Sequence, residues 1–120
     1  PRRSLDAVVG VSSIEHIGLG HYDDDPIDPD GDRHGMERVV RWLKPGGSVY
    51  LDVPYGRAYT VQGTSHRVYD DAALAARLLV PGLTESRRWY STWADRALHA
   101  APPLDTGALC YVALVATREQ

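Results

Sequence analysis

The chain has 120 residues, with 13 basic and 16 acidic side chains and a net charge of −3 when histidine is neutral. This balance offers no basic field for nucleic acid. Its 43% hydrophobic and 24% charged content is that of a folded globular chain and excludes global disorder. No apolar run reaches the roughly 18 residues that a membrane-spanning helix needs. The length suits one domain. A lone cysteine, Cys110, excludes an internal disulfide, so a reducing, cytoplasmic setting is expected. The chain opens on Pro1-Arg2-Arg3, with neither an initiator methionine nor a secretory pattern, and is expected to be processed or cut from a longer one.

The first element is the Val-rich run Leu5–Val11, continuous enough to predict a strand buried on both faces of a parallel sheet. An acidic, proline-punctuated stretch over residues 23–32 predicts a loop. Met36, Val39, Val40 and Leu43 then fall at i, i+3, i+4 and i+7 and predict one apolar helix stripe. Arg41 and Lys44 favour its C-terminal dipole, and Pro45 ends it. Pro45-Gly46-Gly47 is a turn before the second strand, Ser48–Pro54, which Pro54 is expected to stop. Strand, helix, turn and strand make a βαβ unit with parallel neighbours.

A second helix is predicted from about Asp71 to Leu79, with Asp70 as N-cap, an apolar face of Leu74, Ala75 and Leu78, and Pro81-Gly82 as the stop. Leu83–Trp93 and Gly107–Thr117 read as strands joined by a loop that Pro102-Pro103 demands. With no long helix between them, they predict an antiparallel pair.

Three stretches resemble class I S-adenosylmethionine-dependent methyltransferases. Leu5-Asp6-Ala7-Val8-Val9-Gly10-Val11-Ser12-Ser13-Ile14-Glu15-His16-Ile17 resembles the fourth strand of that fold and the loop after it. Arg38 to Pro54, with its Leu-Lys-Pro-Gly-Gly turn, resembles the next helix and the fifth strand. His66-Arg67-Val68-Tyr69-Asp70 and the leucine-rich helix after it resemble the following segment. The longer pattern is similar to a bacterial subgroup of these enzymes. The resemblance covers nearly the whole chain and implies an α/β, Rossmann-like methyltransferase sheet. Counterparts are missing for the family's glycine-rich cofactor loop and for the acidic residue expected to hold the cofactor ribose. Residues 1–120 therefore resemble the C-terminal half of one such domain, with parallel strands followed by an antiparallel pair. Such a half sheet leaves an edge to be completed by the N-terminal half or by a second copy.

In an open parallel sheet, ligands collect at the C-terminal ends of the strands. Ser12, Glu15 and Tyr55 are expected to share that rim. His16 is the candidate base, Glu15 its charge partner, and His66 a further active-site side chain. The alternative for Glu15 and His16 is capping or mutual pairing, and for His66 a hydrogen-bonded loop histidine. By resemblance, Val11, Ser12 and Ser13 would line the cofactor. Tyr55 and Arg57 would close over the acceptor, or else be exposed loop residues. The resemblance implies S-adenosylmethionine as cofactor and a small-molecule or glycan acceptor, with neither nucleic acid nor membrane as partner. A non-catalytic binding module that keeps half of the fold is the alternative.

Metal readings are weak. A calcium loop with Gly31 in sixth place would put Asp28 third, Asp30 fifth and Glu37 twelfth, but Pro26 would stand at the first ligand. His16, His21 and His34 with these aspartates could suggest a hydrolase, yet no pair has the i, i+4 spacing of a helical zinc motif. Cys110 reads as a buried small hydrophobe, His99 as incidental, and Trp42, Trp89 and Trp93 as core or edge packing.

Overall fold

A computed structural model describes residues 2–21, 26–95, 97–106 and 108–120. Strand β1 (Leu5–Val11) leads into a 3-10 turn, Ile14–His16. Helix α1 (Gly31–Trp42) feeds β2 (Leu43–Tyr55), and a short hairpin of β3 (Thr60–Gln62) and β4 (His66–Val68) follows. Helix α2 (Asp71–Ala73) runs on as a π-turn, Leu74–Leu78. Strand β5 (Leu83–Thr92), a 3-10 turn (Leu104–Thr106) and β6 (Cys110–Arg118) close the order.

The main sheet has the order β1-β2-β6-β5. Strands β1 and β2 are parallel, and β6 is antiparallel to both of its neighbours. The last strand is thus inserted beside β2 and pushes β5 to the far edge. The Lys44-Pro45-Gly46-Gly47 turn is absorbed into the start of β2 as an irregularity: Leu5 pairs Leu43, but Ala7 already pairs Ser48. Gly46 sits at φ +81, a conformation that side chains resist. The Cβ of any residue at 47 would stand 2.9 Å from the Lys44 carbonyl oxygen.

One face of the sheet carries the core. Val49, Leu51 and Val53 of β2 pair in register with Ala116, Leu114 and Val112 of β6, and all six are buried. Met36 and Val39 of α1, and Ala73, Leu74 and Leu78 after β4, join the same cluster. Both helices therefore pack on one side, as their 3.6-residue stripes require. On the other side Val9 and Val11 are 67% and 62% exposed, and Tyr50, Asp52, Tyr111 and Ala113 are half-buried.

Three expectations need correction. Strand β1 is an edge strand covered on one face, because an unbroken valine run carries no alternation to say which faces are covered. Pro54 does not stop β2; it lacks only a donor, and its carbonyl accepts the Tyr69 N–H at 3.0 Å. Helix α1 begins at Gly31, so Gly31 and Asp32 are helical and buried.

Candidate functional site

Strand β1 ends at Ser12, whose φ of +45 is unusual for a residue with a side chain. Such strain persists only where neighbours hold it. Here the Ser12 N–H donates to Asp52 Oδ1 at 2.9 Å, and its hydroxyl donates to Glu15 Oε2 at 2.9 Å. Asp52 comes from the parallel neighbour β2, so the βαβ unit itself ties the two strand ends together. Glu15 lies under this turn, fully buried. Its Oε1 has no hydrogen-bond partner among the described residues.

His16 follows on the same turn. Its Nδ1 stands 2.5 Å from the Ser65 carbonyl oxygen. A carbonyl can only accept, so Nδ1 carries the proton and Nε2 is the basic nitrogen. Nε2 lies 3.9 Å from Glu15 Oε2. His21 stacks on His16 at 4.3 Å between ring centroids, and His66 meets it edge-on at 6.2 Å. The Ser65 hydroxyl and His66 Nδ1 are hydrogen-bonded at 2.9 Å. The hairpin β3–β4, which carries Ser65 and His66, thus folds over the β1 rim.

Arg67 fixes that arrangement. It is fully buried, and it donates to the Ile17 carbonyl at 2.6 Å and to the Pro29 carbonyl at 3.2 Å. Its Nε is 3.6 Å from Asp32 Oδ2. The same Asp32 carboxylate, also fully buried, accepts the Tyr69 hydroxyl at 2.8 Å and both Nε and Nη2 of Arg77 at 2.9 Å. Burial, and then Asp32, push the Tyr69 phenol well above its ordinary range. The loop before α1 comes so close to residue 18 that a Cβ there would stand 2.1 Å from the Asp28 carbonyl oxygen. Gly18 also has φ +84, so this crossing tolerates only glycine.

The acidic loop is engaged by protein groups. Asp28 accepts the Asp30 N–H and pairs with His34 at 2.7 Å. Asp30 lies 3.4 Å from Arg77. No cluster suited to a metal is found among the described residues; Asp23, Asp24 and Asp25 lie outside them. His99 bonds Asp95 at 2.9 Å. Cys110 is buried, which pushes its thiol up.

The expected site residues divide between two places. Val11 and Ser12 line the mouth of a cavity of about 460 Å³ on the open sheet face, with Tyr50, Asp52, Thr92, Trp93 and Tyr111 among its walls. Glu15, His16 and His66 lie behind Ser12, and Ser13 is half-buried beside them. Tyr55 and Arg57 instead line a separate recess of about 390 Å³ with Asp70, Asp71 and Leu104. The Tyr55 hydroxyl donates to Asp71 at 2.8 Å, and burial and that carboxylate push the phenol upward. Arg57 pairs with Asp105. The sequence reading gave no site role to Ser65, Arg67 or Asp52, and weighed His21 only as a metal ligand. Of these only Asp52 left a signal, a carboxylate in an otherwise apolar strand.

The fold is that of class I methyltransferases. The methyltransferase from Burkholderia thailandensis described as 1,6-didemethyltoxoflavin-N1-methyltransferase, solved with 1,6-didemethyltoxoflavin and S-adenosylhomocysteine, superposes on all of this chain and 46% of its own, at TM-score 0.59 and 17% identity. A methyltransferase described as S-adenosylmethionine-dependent, from Methanosarcina mazei, aligns over 98% of this chain and 61% of its own at TM-score 0.65 and 13% identity. The [4+2]-cyclase SpnF aligns over 99% and 51% at TM-score 0.61 and 14% identity. The chain therefore spans about half to two thirds of the solved chains it resembles, and these identities speak for the fold alone. The cyclase shows that such a fold also serves other chemistry. No curated protein matches the sequence. Residues 2–101 match the family described as "Caenorhabditis protein of unknown function, DUF268", and the chain belongs to that family.

Proposed function

We propose that this methyltransferase-like domain is the acceptor-side half of an S-adenosylmethionine-dependent methyl-transfer site, with His16 as the base. The observation that carries the reading is the tautomer of His16: Ser65 holds the proton on Nδ1, and Nε2 faces the Glu15 carboxylate. That arrangement suits an imidazole that takes a proton from an acceptor as its nucleophile forms. Glu15 stabilises the imidazolium and is itself held by Ser12. His66 and Ser65 position the ring from the hairpin side.

The residues present fit one end of the cofactor. Val11 and Ser12 offer a wall beside the open cavity, but both Ser12 donors are turned inward to Asp52 and Glu15. The polar groups for a ribose must come from elsewhere. When bound, S-adenosylmethionine supplies an electrophilic methyl group. The missing groups belong, in this reading, to an N-terminal half that pairs with β1. Its support is an edge strand with two-thirds-exposed valines and solved structures about 1.6 to 2.2 times as long over the same fold.

The test is methyl uptake from labelled cofactor, together with calorimetric titration of S-adenosylmethionine. His16→Asn is expected to lower transfer by about a hundredfold or more with cofactor affinity unchanged, and Glu15→Gln by roughly tenfold. The rival is a binding module without catalysis, which the inward-turned donors of Ser12 favour. Absence of binding heat at millimolar cofactor with the N-terminal half supplied would establish it.

A further inference from the structure

The cavity on the open sheet face, of which the methyl-transfer reading uses only the Val11 and Ser12 wall, has further lining that the reading leaves unexplained. Its walls include three aromatic side chains, Tyr50, Trp93 and Tyr111, and its floor holds the Asp52 carboxylate. Trp93 and Tyr111 meet edge-on, with centroids 6.3 Å apart. Trp93 is 67% exposed and Leu98 70%, so the outer wall stands free in solvent. The volume, about 460 Å³, suits a small molecule.

Asp52 is the unusual member. Its Oδ1 accepts the Ser12 N–H, and its Oδ2 accepts the Tyr50 hydroxyl at 3.3 Å. Both are neutral donors, and among the described residues no cation pairs with it. Elsewhere in the fold Asp32 pairs with two arginines, Asp71 with Arg88 and Asp105 with Arg57. A half-buried carboxylate beside a cavity that three aromatic side chains line is an arrangement that attracts a positive ligand, since ring faces and carboxylate act with the same sign. The carboxylate also raises the Tyr50 phenol, which burial has already pushed up.

We infer that this cavity binds a compact organic cation, an alkylammonium a few carbons across, with Asp52 as its counter-charge and Trp93 and Tyr111 as its aromatic walls. On the methyl-transfer reading, on which this role rests, the acceptor is an amine. The ammonium first gives up one proton to Nε2 of His16, the base of that reading; the freed nitrogen pair then takes the methyl carbon. The carbon–sulfur pair stays on the neutral thioether, and the methylated amine carries the charge away.

The experiment titrates the chain with choline, whose quaternary nitrogen cannot accept a methyl group, and with its neutral isostere 3,3-dimethylbutan-1-ol, following the Trp93 indole N–H by NMR. Choline is expected to shift that signal and saturate, while the alcohol binds at least about tenfold more weakly. Asp52→Asn keeps the acceptor for the Ser12 N–H and is expected to erase the preference. Should that variant fail to fold, Trp93→Ala changes an exposed residue, and calorimetry on it is expected to show choline affinity reduced several-fold. Equal binding of the two probes, an unmoved Trp93 signal, or unchanged choline affinity in either folded variant would overturn the inference. A separate arm, with the N-terminal half supplied, adds a methyl donor and a primary amine. Choline binding without methyl uptake leaves the cation site standing and refutes methyl transfer; uptake without choline binding does the reverse.

Discussion

Ser12 and Gly18 show how single positions set the site. Ser12 bears its positive φ because a carboxylate on each side holds it, and neither partner is adjacent in sequence beyond Glu15. Gly18→Ala would force both a left-handed backbone and a clash at the Asp28 carbonyl. We expect it to cost about 2–4 kcal/mol in chemical denaturation. Asp28 makes a pH prediction. His34, and then the Asp30 N–H, hold its carboxyl below the usual carboxylate value. A lowered folded-state value stabilises above the unfolded one and is lost as the pH falls through the folded one. Acid unfolding should therefore weaken the native chain more than Asp28→Asn between about pH 4 and pH 3. Cys110 is buried with its thiol pushed up, so a thiol reagent should label it slowly until denaturant is added.

At the level of elements, the βαβ unit was legible because three independent signals agreed: a helix stripe, a Pro-Gly-Gly turn and two Val-rich runs. The strand pair β5–β6 was legible from its closeness in sequence, though not the insertion of β6 beside β2, since strand order leaves no local mark. The hairpin β3–β4 was illegible: three-residue strands carry too few side chains to alternate. With it went Ser65 and Arg67, the groups that fix His16 and its loop. His16 and Glu15 were visible as types at a strand end, but the burial of Glu15 was not. The Asp32 cluster joins α1, β4 and the π-turn after α2 through buried charge. Asp32→Asn would leave Arg67 and Arg77 without their counter-charge and should lower stability by about 3–5 kcal/mol in thermal or urea melts.

For the whole molecule, layers of unequal cover are the main fact. One sheet face is sealed by both helices, while the other exposes Val9, Val11 and the aromatic cavity. Among the described residues β1 has a strand partner on one side only. Hydrogen exchange should be slowest in β2 and β6, which are paired on both sides, and fastest among the strands of the main sheet in β1. Isolated at high concentration, the chain should self-associate through this surface, and Val9→Lys with Val11→Lys should shift sedimentation toward monomer without loss of helical signal.

Arg67 grips its loop by carbonyl oxygens at residues 17 and 29, with more distant ones at 15 and 28. Every amino acid supplies the same oxygen there. A clasp of this kind is blind to side-chain identity at the four positions it holds, so substitutions that keep the backbone there leave its grip unchanged.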